Sequence, residues 1–298
     1  MKKLLILLLN LIFLTGCQSY IELNDLKIIN AIGIEFKDNN YTMFASIVDE
    51  VDKETMQPNT KIYEIKGNSL NQLMDELSLT LNKKIYLSHL DLLLINETIK
   101  TKQLESIINF FVNNNETRED FLVASTSNIK EILEKSKFKE INDLIEINHE
   151  QTSKSIYTRM YDLINSYYNK ENIYLTKIDL EDNLICNGLT IFKNNNYKTI
   201  SIDDTLFINY LIDNIENYKY SHKCSNNKYL YLNILNSNTN QINKELIITN
   251  EVKIITNDCN LTKDEIDNTF KTYLKENLEK KTNKKITIKN TIRGIYEN

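Results

Sequence analysis

The first apolar run of the chain is too short to cross a membrane, and this limits what the remaining residues can form. Lys2 and Lys3 precede the run Leu4–Leu14, which is interrupted only at Asn10. A helix needs about 20 apolar residues to span a bilayer. A short apolar run behind a positive start is typical of a secretion signal. We therefore expect the rest of the chain to fold outside the cytoplasm.

The run ends in Leu14-Thr15-Gly16-Cys17, which is similar to the lipobox of lipoprotein precursors. Small residues let the signal peptidase approach the bond before the cysteine, and the thiol is acylated before cleavage. The pattern predicts a signal peptide over residues 1–16, lipid attachment at Cys17 and a linker over residues 17–25. Two or more acyl chains hold a domain far more firmly than one. The alternative is a structural cysteine that follows an ordinary cleaved signal.

The chain has the size and composition of a globular protein with several domains. Of its 298 residues, 41% are hydrophobic and 26% are charged, which are ordinary globular values. Two or three domains of ~100 to 200 residues fit this length. The net charge is −5, without a long run of either sign. Strong binding to nucleic acids or to anionic lipids is therefore not predicted.

The first part of the chain mixes strand and helix patterns. We predict strands where short apolar runs lie between polar turns, and helices where apolar residues recur every three or four positions. Ser69 is expected to cap one helix, and Asn128 with Glu131 resembles a capping box for another. The predicted strands are Leu26–Phe36, Tyr41–Val48, Lys61–Ile65, Leu90–Ile95 and Phe121–Ser125, and the predicted helices follow Ser69, cover Thr101–Asn113, follow Asn128 and include Ile156 to Tyr167.

From Ile173 onward strand patterns dominate. Thr262 with Glu265 is a clear capping box, and it opens a helix with apolar residues on one face. We place the main domain boundary near Asp182, between regions 26–181 and 182–298. The fold class is predicted to be α+β, with up to three mixed domains and a C-terminal antiparallel-rich sheet covered by a long helix. The predicted strands are Ile173–Leu180, Leu184–Lys193, Lys228–Leu235, Glu245–Ile255 and Ile286–Arg293.

No catalytic constellation is evident in the sequence. The five glycines are isolated, which excludes a Walker loop and a dinucleotide fingerprint. Ser88, His89 and Asp91 are close in sequence, but neighbouring strand residues point to opposite faces, so Ser88 and His89 cannot pair locally. His149 beside Glu150 is interpreted as a solvated side chain in a polar connection between helices. We therefore predict no enzyme activity and no cofactor.

The cysteines beyond Cys17 do not define a framework. Cys186, Cys224 and Cys259 are odd in number and far apart, so no disulfide pairing follows from them. His222 and Cys224 could supply two metal ligands. No CxxC partner and no second histidine lie nearby, and we predict no metal site.

Four short segments are not explained by fold pattern alone: Glu22–Leu26 with Ala31–Glu35, Lys84–His89, Leu93–Glu97, and Gly188–Lys193 followed by Thr205 and Leu206. In this order they resemble segments of the Ger(x)C lipoproteins, the C subunits of spore germination receptors. Two departures are that Gln18 and Ser19 stand where the family usually has Trp and Asp, and that Glu35 replaces its usual aspartate.

The resemblance implies a non-enzymatic, lipid-anchored subunit of a nutrient germinant receptor, on the outer face of the spore inner membrane. Its implied partners are membrane lipid, through acylated Cys17, and two membrane-embedded receptor subunits. The alternative is an extracytoplasmic solute-binding lipoprotein of a transporter. That fold has two doubly wound lobes, and the consecutive strands after Ile173 favour the receptor subunit.

Overall fold

The computed structural model describes residues 25–51, 58–193 and 196–294. The strands are β1 (Leu26–Lys37), β2 (Asn40–Val51), β3 (Pro58–Gly67), β4 (Lys84–Tyr86), β5 (Leu92–Asn96), β6 (Leu122–Thr126), β7 (Ile173–Leu180), β8 (Leu184–Lys193), β9 (Asn196–Ile200), β10 (Tyr218–Lys223), β11 (Tyr229–Ile242), β12 (Glu245–Asn257) and β13 (Lys285–Arg293). The helices are α1 (Leu70–Leu81), α2 (Thr101–Val112), α3 (Ile129–Lys135), α4 (Phe138–Thr152), α5 (Met160–Tyr168), α6 (Ile202–Leu211) and α7 (Lys263–Glu279).

Parallel strands form the centre of the first sheet. Its order is β3-β2-β1-β5-β6-β7-β8-β9, with β4 beside β1. β1, β5, β6 and β7 run parallel, and antiparallel strands extend the sheet on both sides. β5 is buried from Leu92 to Ile95. A continuous apolar run of this kind is expected where a parallel strand is covered on both faces.

Helices cover both faces of the first sheet. α1, α2 and α5 pack on one face, where Leu73 and Leu104 are buried. α3 and α4 pack on the other, where Ile129 and Ile141 are buried. Ser69 caps α1 as predicted, since its side chain accepts a hydrogen bond from a backbone N–H of the first turn. None of the helices in the described part of the chain is long and apolar enough to cross a membrane.

The connection between β6 and β7 is narrow. Ser125 and Lys177 form the one backbone pair between the two described strands. Ser125 Oγ donates to Thr190 Oγ1 at 2.8 Å. Lys177 Nζ lies 2.9 Å from Glu97 Oε2 and 3.4 Å from Asp179 Oδ2. These largely buried side chains strengthen the sheet where its backbone ladder is shortest.

A second, smaller sheet lies under helix α7. Its order is β10-β11-β12-β13, with antiparallel pairs except for β12 and β13, which α7 joins in parallel as a crossover. The Thr262 and Glu265 side chains accept hydrogen bonds from each other's backbone N–H, so the predicted capping box starts α7. Phe270 and Leu274 are buried against the sheet. The predicted α+β fold, with an antiparallel-rich C-terminal sheet under a long helix, is confirmed.

One predicted helix start and one predicted capping box are wrong. α5 begins at Met160 and not near Ile156, because Thr176 Oγ1 binds both the N–H and the carbonyl of Ile156 at 2.8 Å and keeps that segment beside β7. The Asn128 side chain makes no hydrogen bond at the start of α3. Glu131 accepts a hydrogen bond from Lys135 Nζ at 2.6 Å instead, so the predicted capping box does not form.

The predicted domain boundary at residues 181 and 182 lies between β7 and β8. Both strands belong to the first sheet, which continues to the end of β9 at Ile200. The second sheet begins at Tyr218. The division into regions 26–181 and 182–298 remains a prediction about domain organisation.

Candidate functional site

The predicted lipid-attachment residue, Cys17, lies outside the described residues. The described chain begins at Asp25, whose carboxylate accepts a hydrogen bond from Lys83 Nζ at 3.2 Å. β1 follows at once and pairs with β4 and β5. The predicted linker therefore leads directly into the central strands of the first sheet.

The polar residues before β5 are not hydrogen-bonded to one another in the described chain. Ser88 Oγ donates to the carbonyl of Glu116 at 2.6 Å. His89 is exposed, with its ring centroid 5.9 Å from that of Tyr86. Burial raises the pKa of the Asp91 carboxyl group. In the described chain no hydrogen bond joins Ser88, His89 and Asp91, so they form no nucleophile and base pair.

Two of the cysteines form a disulfide that sequence reasoning did not assign. Cys224 and Cys259 are bonded, with their Cα atoms 6.1 Å apart. They follow β10 and β12, which end on the same side of the second sheet. Cys186 is buried, and burial raises the pKa of its thiol to about 12. Because Cys224 is oxidised, it cannot join His222 as a metal ligand, and residues 25–51, 58–193 and 196–294 contain no group of three His, Cys, Asp or Glu side chains placed to hold a metal.

His149 lies within helix α4, so its predicted place in a polar connection is wrong. Its side chain is only 12% exposed, and Nε2 lies 3.6 Å from Glu216 Oε1. Nδ1 lies 3.0 Å from the carbonyl oxygen of Ser155. The predicted solvated side chain is therefore wrong as well. His149 instead contacts segments that lead toward both sheets.

Buried hydrogen bonds surround His149 and join the two sheets. We define the polar junction as Ser153, Ser155, Asn209 and Asn217. Ser153 Oγ donates to the Asn217 carbonyl at 2.8 Å. Asn209 Nδ2 donates to the carbonyls of Ser153 and Ser155 at 2.7 and 3.0 Å. Asn217 Oδ1 is buried without a hydrogen-bond partner in the described chain. The other hydrogen bonds of the polar junction favour a single arrangement and hold the second sheet against the first.

Beside the polar junction, a cleft of about 640 Å³ lies between the two sheets. We call it the inter-sheet cleft. One wall comes from β7, β8 and β9, and the other comes from α6, the start of β12 and the segment after α7. The volume is in the range of small-molecule and peptide sites. Its lining includes Lys193, Tyr197, Lys198, Leu211, Lys281 and Lys284.

The inter-sheet cleft is positively charged. Four lysines line it, and no carboxylate is among its described lining residues. Lys281 Nζ is 2.6 Å from Asp204 Oδ1 outside the lining, and Lys284 donates to Gln241. Lysines beside tyrosine and leucine side chains favour noncovalent binding of a partly apolar anionic group. Sequence reasoning missed this site because its residues come from distant segments that carry no motif.

Comparison with known proteins places the first half of the chain in a family. Residues 19–180 match the family model described as the spore germination protein N-terminal domain. Spore germination protein KC of Bacillus subtilis (strain 168) is 28% identical over 130 residues, which cover 41% of this chain and 31% of that protein. The chain therefore aligns with about a third of the length of this curated relative.

A solved structure shares the fold. The crystal structure of the GerBC protein matches with a TM-score of 0.54 and 14% sequence identity, over 89% of this chain and 96% of that chain. The likeness therefore extends over both sheets, beyond the segment that the family model matches. Since that model alone covers more than half of the residues, the chain belongs to the Ger(x)C family of spore germination proteins.

Proposed function

We propose that this chain is the lipid-anchored, non-catalytic subunit of a spore nutrient germinant receptor and acts in spore germination. The observation that carries the proposal is the family domain over residues 19–180, which begins directly behind the predicted lipid-attachment residue Cys17. The acyl chains at Cys17 hold the protein on the outer face of the spore inner membrane. Two membrane-embedded receptor subunits bind it there.

The disulfide supports the proposed location. Cys224 and Cys259 are bonded to each other, and disulfides persist mainly in oxidising compartments outside the cytoplasm. The predicted signal peptide over residues 1–16 leads to such a compartment. The sequence signal and the disulfide are independent, and both favour an extracytoplasmic protein.

The inter-sheet cleft supports a binding role. Its lysines and apolar side chains suit noncovalent contact with an acidic segment of a partner subunit, and Ser88, His89 and Asp91 lie apart from it. The family match ends at residue 180, so we assign residues 26–181 to an N-terminal Ger(x)C-like region and residues 182–298 to the C-terminal domain. The solute-binding alternative requires two doubly wound lobes, whereas the second sheet here is mostly antiparallel.

Replacement of Cys17 tests the proposal. Spores that carry Cys17→Ala should form normally, but nutrient-triggered germination should fall at least tenfold, because the subunit is no longer held beside its partners. The variant should also lose incorporation of a palmitate analogue. Cys186→Ala, at a buried thiol of the first sheet, is the matched control and should keep both properties.

Normal nutrient germination of Cys17→Ala spores, with the label absent, would refute the anchored receptor role. Calorimetry separates the solute-binding alternative. Tight binding of an amino acid or a sugar by the isolated chain would favour a transporter lipoprotein.

A further inference from the structure

The second sheet has one covered face and one face that no described element covers. α6 and α7 pack on the covered face, where Leu232 and Ile254 are buried. The side chains that point the other way include several lysines and two tyrosines among neutral polar residues and the carboxylates of Glu245 and Glu251. We call this side the outer face, and it includes Lys219, Lys223, Tyr229, Tyr231, Lys253 and Lys289.

Strand register gathers the positive charges of the outer face. Lys219 is opposite Asn233, Asn233 is opposite Lys253, and Lys253 is opposite Arg293. These residues form one row across all four strands, which is about 14 Å wide at the usual strand spacing. Lys289 points to the same face of the sheet as Arg293, because it lies four positions earlier in β13.

Part of this charge is not neutralised within the chain. Arg293 pairs with Glu251, and Glu245 pairs with Lys285 and also attracts Lys289. In the described part of the chain, no carboxylate lies within ion-pair distance of Lys219, Lys223 or Lys253. The chain as a whole has a net charge of −5. The outer face is therefore a basic surface on an acidic protein, which composition alone did not predict.

Aromatic and apolar side chains lie among these lysines. The rings of Tyr229 and Tyr231 stack with their centroids 5.7 Å apart. Tyr231 is 42% exposed and Ile255 is 46% exposed. Tyrosine is enriched where proteins meet lipid headgroups, since its ring is apolar and its hydroxyl is polar. Basic residues interleaved with such side chains are typical of surfaces that bind anionic lipids.

We propose that the outer face lies on the anionic lipid surface of the membrane to which the chain is anchored. This inference rests on the proposed function, because the tether makes the membrane the nearest anionic surface. From Cys17 to Asp25 the chain reaches at most roughly 29 Å, at ~3.6 Å per residue. A tethered protein of net negative charge turns this basic face toward such a surface, because its acidic surfaces are repelled from it.

Vesicle sedimentation tests the proposal without the lipid anchor. The protein is the chain without residues 1–16 and with Cys17→Ser, which keeps every described residue. It should sediment with vesicles of phosphatidylglycerol and phosphatidylcholine, not with phosphatidylcholine alone, and 0.5 M salt should release it. The combined substitutions Lys219→Ala, Lys223→Ala and Lys253→Ala should weaken the association at least tenfold.

A matched control removes the same charge elsewhere. Lys37→Ala, Lys102→Ala and Lys139→Ala change exposed lysines away from the outer face and from the inter-sheet cleft and should leave vesicle binding within twofold. An equal loss of vesicle binding in both triple variants, or no vesicle binding by the parent chain, would overturn the proposal. Capture of an acidic partner subunit by a chain that does not bind vesicles would also overturn it. Palmitate labelling of Cys17 reports separately on the anchor, so its failure is distinguishable from failure of the outer face.

Discussion

Gly33 lies in β1 directly beneath helix α3. A Cβ atom at this position would lie 2.0 Å from Ile129 Cγ2 and 3.4 Å from Leu133 Cδ1. Gly188 in β8 has a φ of +101°, and a Cβ there would lie 1.9 Å from the carbonyl oxygen of Ile200. Both glycines belong to segments that carry the family resemblance. At these two positions the family motif therefore reflects close packing against the backbone and does not indicate a binding or catalytic role.

The substitution Gly33→Ala tests this interpretation at the residue scale. The added methyl group must push α3 away from β1, so we expect the free energy of unfolding to fall by about 1–3 kcal/mol. Urea denaturation measures it. Combining Gly33→Ala with Ile129→Ala should cost at least ~0.5 kcal/mol less than the sum of the single changes, since the smaller side chain makes room. If the two changes in the free energy of unfolding are additive, the Ile129 side chain does not restrict the space at Gly33.

At the scale of elements, two segments with the same capping-box pattern behave differently. Thr262 caps α7 through its hydroxyl, whereas the Asn128 side chain makes no hydrogen bond at the start of α3. Thr262→Ala should therefore lower the free energy of unfolding by about 1 kcal/mol. Asn128→Ala, the matched control, should change it by a few tenths at most. A comparable loss in both variants, measured by urea denaturation, would contradict the observed caps.

The same cap has a predictable pH dependence. Hydrogen bonds from the backbone N–H and then the hydroxyl of Thr262 lower the pKa of Glu265. A carboxylate with a lowered pKa in the folded state contributes stability above its unfolded pKa and loses it as the pH falls through the folded value. Thr262→Ala removes the hydroxyl donor and keeps the backbone donor. Part of the stability difference between the parent chain and this variant should therefore be lost as the pH falls below the ordinary glutamate pKa of about 4.3.

The helices that sequence reasoning found are those with one apolar face. α7 repeats buried residues every four positions, from Ile266 to Leu278. α6 escaped detection because most of it is buried between the two sheets, with Phe207, Asn209 and Tyr210 all inside, so no periodic apolar stripe remains. α4 escaped because its fully buried side chains are few among charged ones. The periodic spacing of apolar residues reveals a helix that has one exposed face, but it does not reveal a helix that is buried between two layers.

The strands, the disulfide and the inter-sheet cleft also differ in how much of them the sequence pattern predicts. The buried run of β5 is plain in the sequence, whereas β9 is an exposed edge strand of mainly polar residues and has no apolar signal. The pairing of Cys224 with Cys259 depends on strand register across β11, which an odd cysteine count does not reveal. The inter-sheet cleft and the outer face also arise from register and topology. Their lysines are ordinary surface residues when they are taken one at a time.

At the scale of the whole molecule, the two sheets have separate apolar cores. α4 and α6 lie where these cores approach, and the polar junction ties them together. Ser153 is central, because its hydroxyl also accepts hydrogen bonds from the N–H groups of Glu216 and Asn217 at 3.1 and 3.3 Å. These residues lead directly into β10. The geometry of the inter-sheet cleft, and the position of the outer face relative to the first sheet, therefore depend in part on a few buried hydrogen bonds.

Asn209→Ala tests that dependence. The change removes the donor to the Ser153 and Ser155 carbonyls, and the loss of buried hydrogen bonds should cost about 2 kcal/mol. Asn214→Ala is the matched control. The Asn214 side chain donates only to Asn209 Oδ1, at 3.0 Å, and the backbone hydrogen bond from Asn214 to the Asn209 carbonyl is kept, so the change should cost about 1 kcal/mol or less.

Hydrogen exchange distinguishes a loosened junction from general destabilisation. In Asn209→Ala the amides of Glu216 and Asn217 should exchange faster, while those in the middle of β12 keep most of their protection, because each core persists when the connection opens. If the β12 amides lose protection to the same degree, the two sheets unfold as one cooperative unit, and the polar junction does not open by itself. If the amides of Glu216 and Asn217 exchange as in the parent chain, the apolar packing of α6 is sufficient to hold the two sheets in their relative positions.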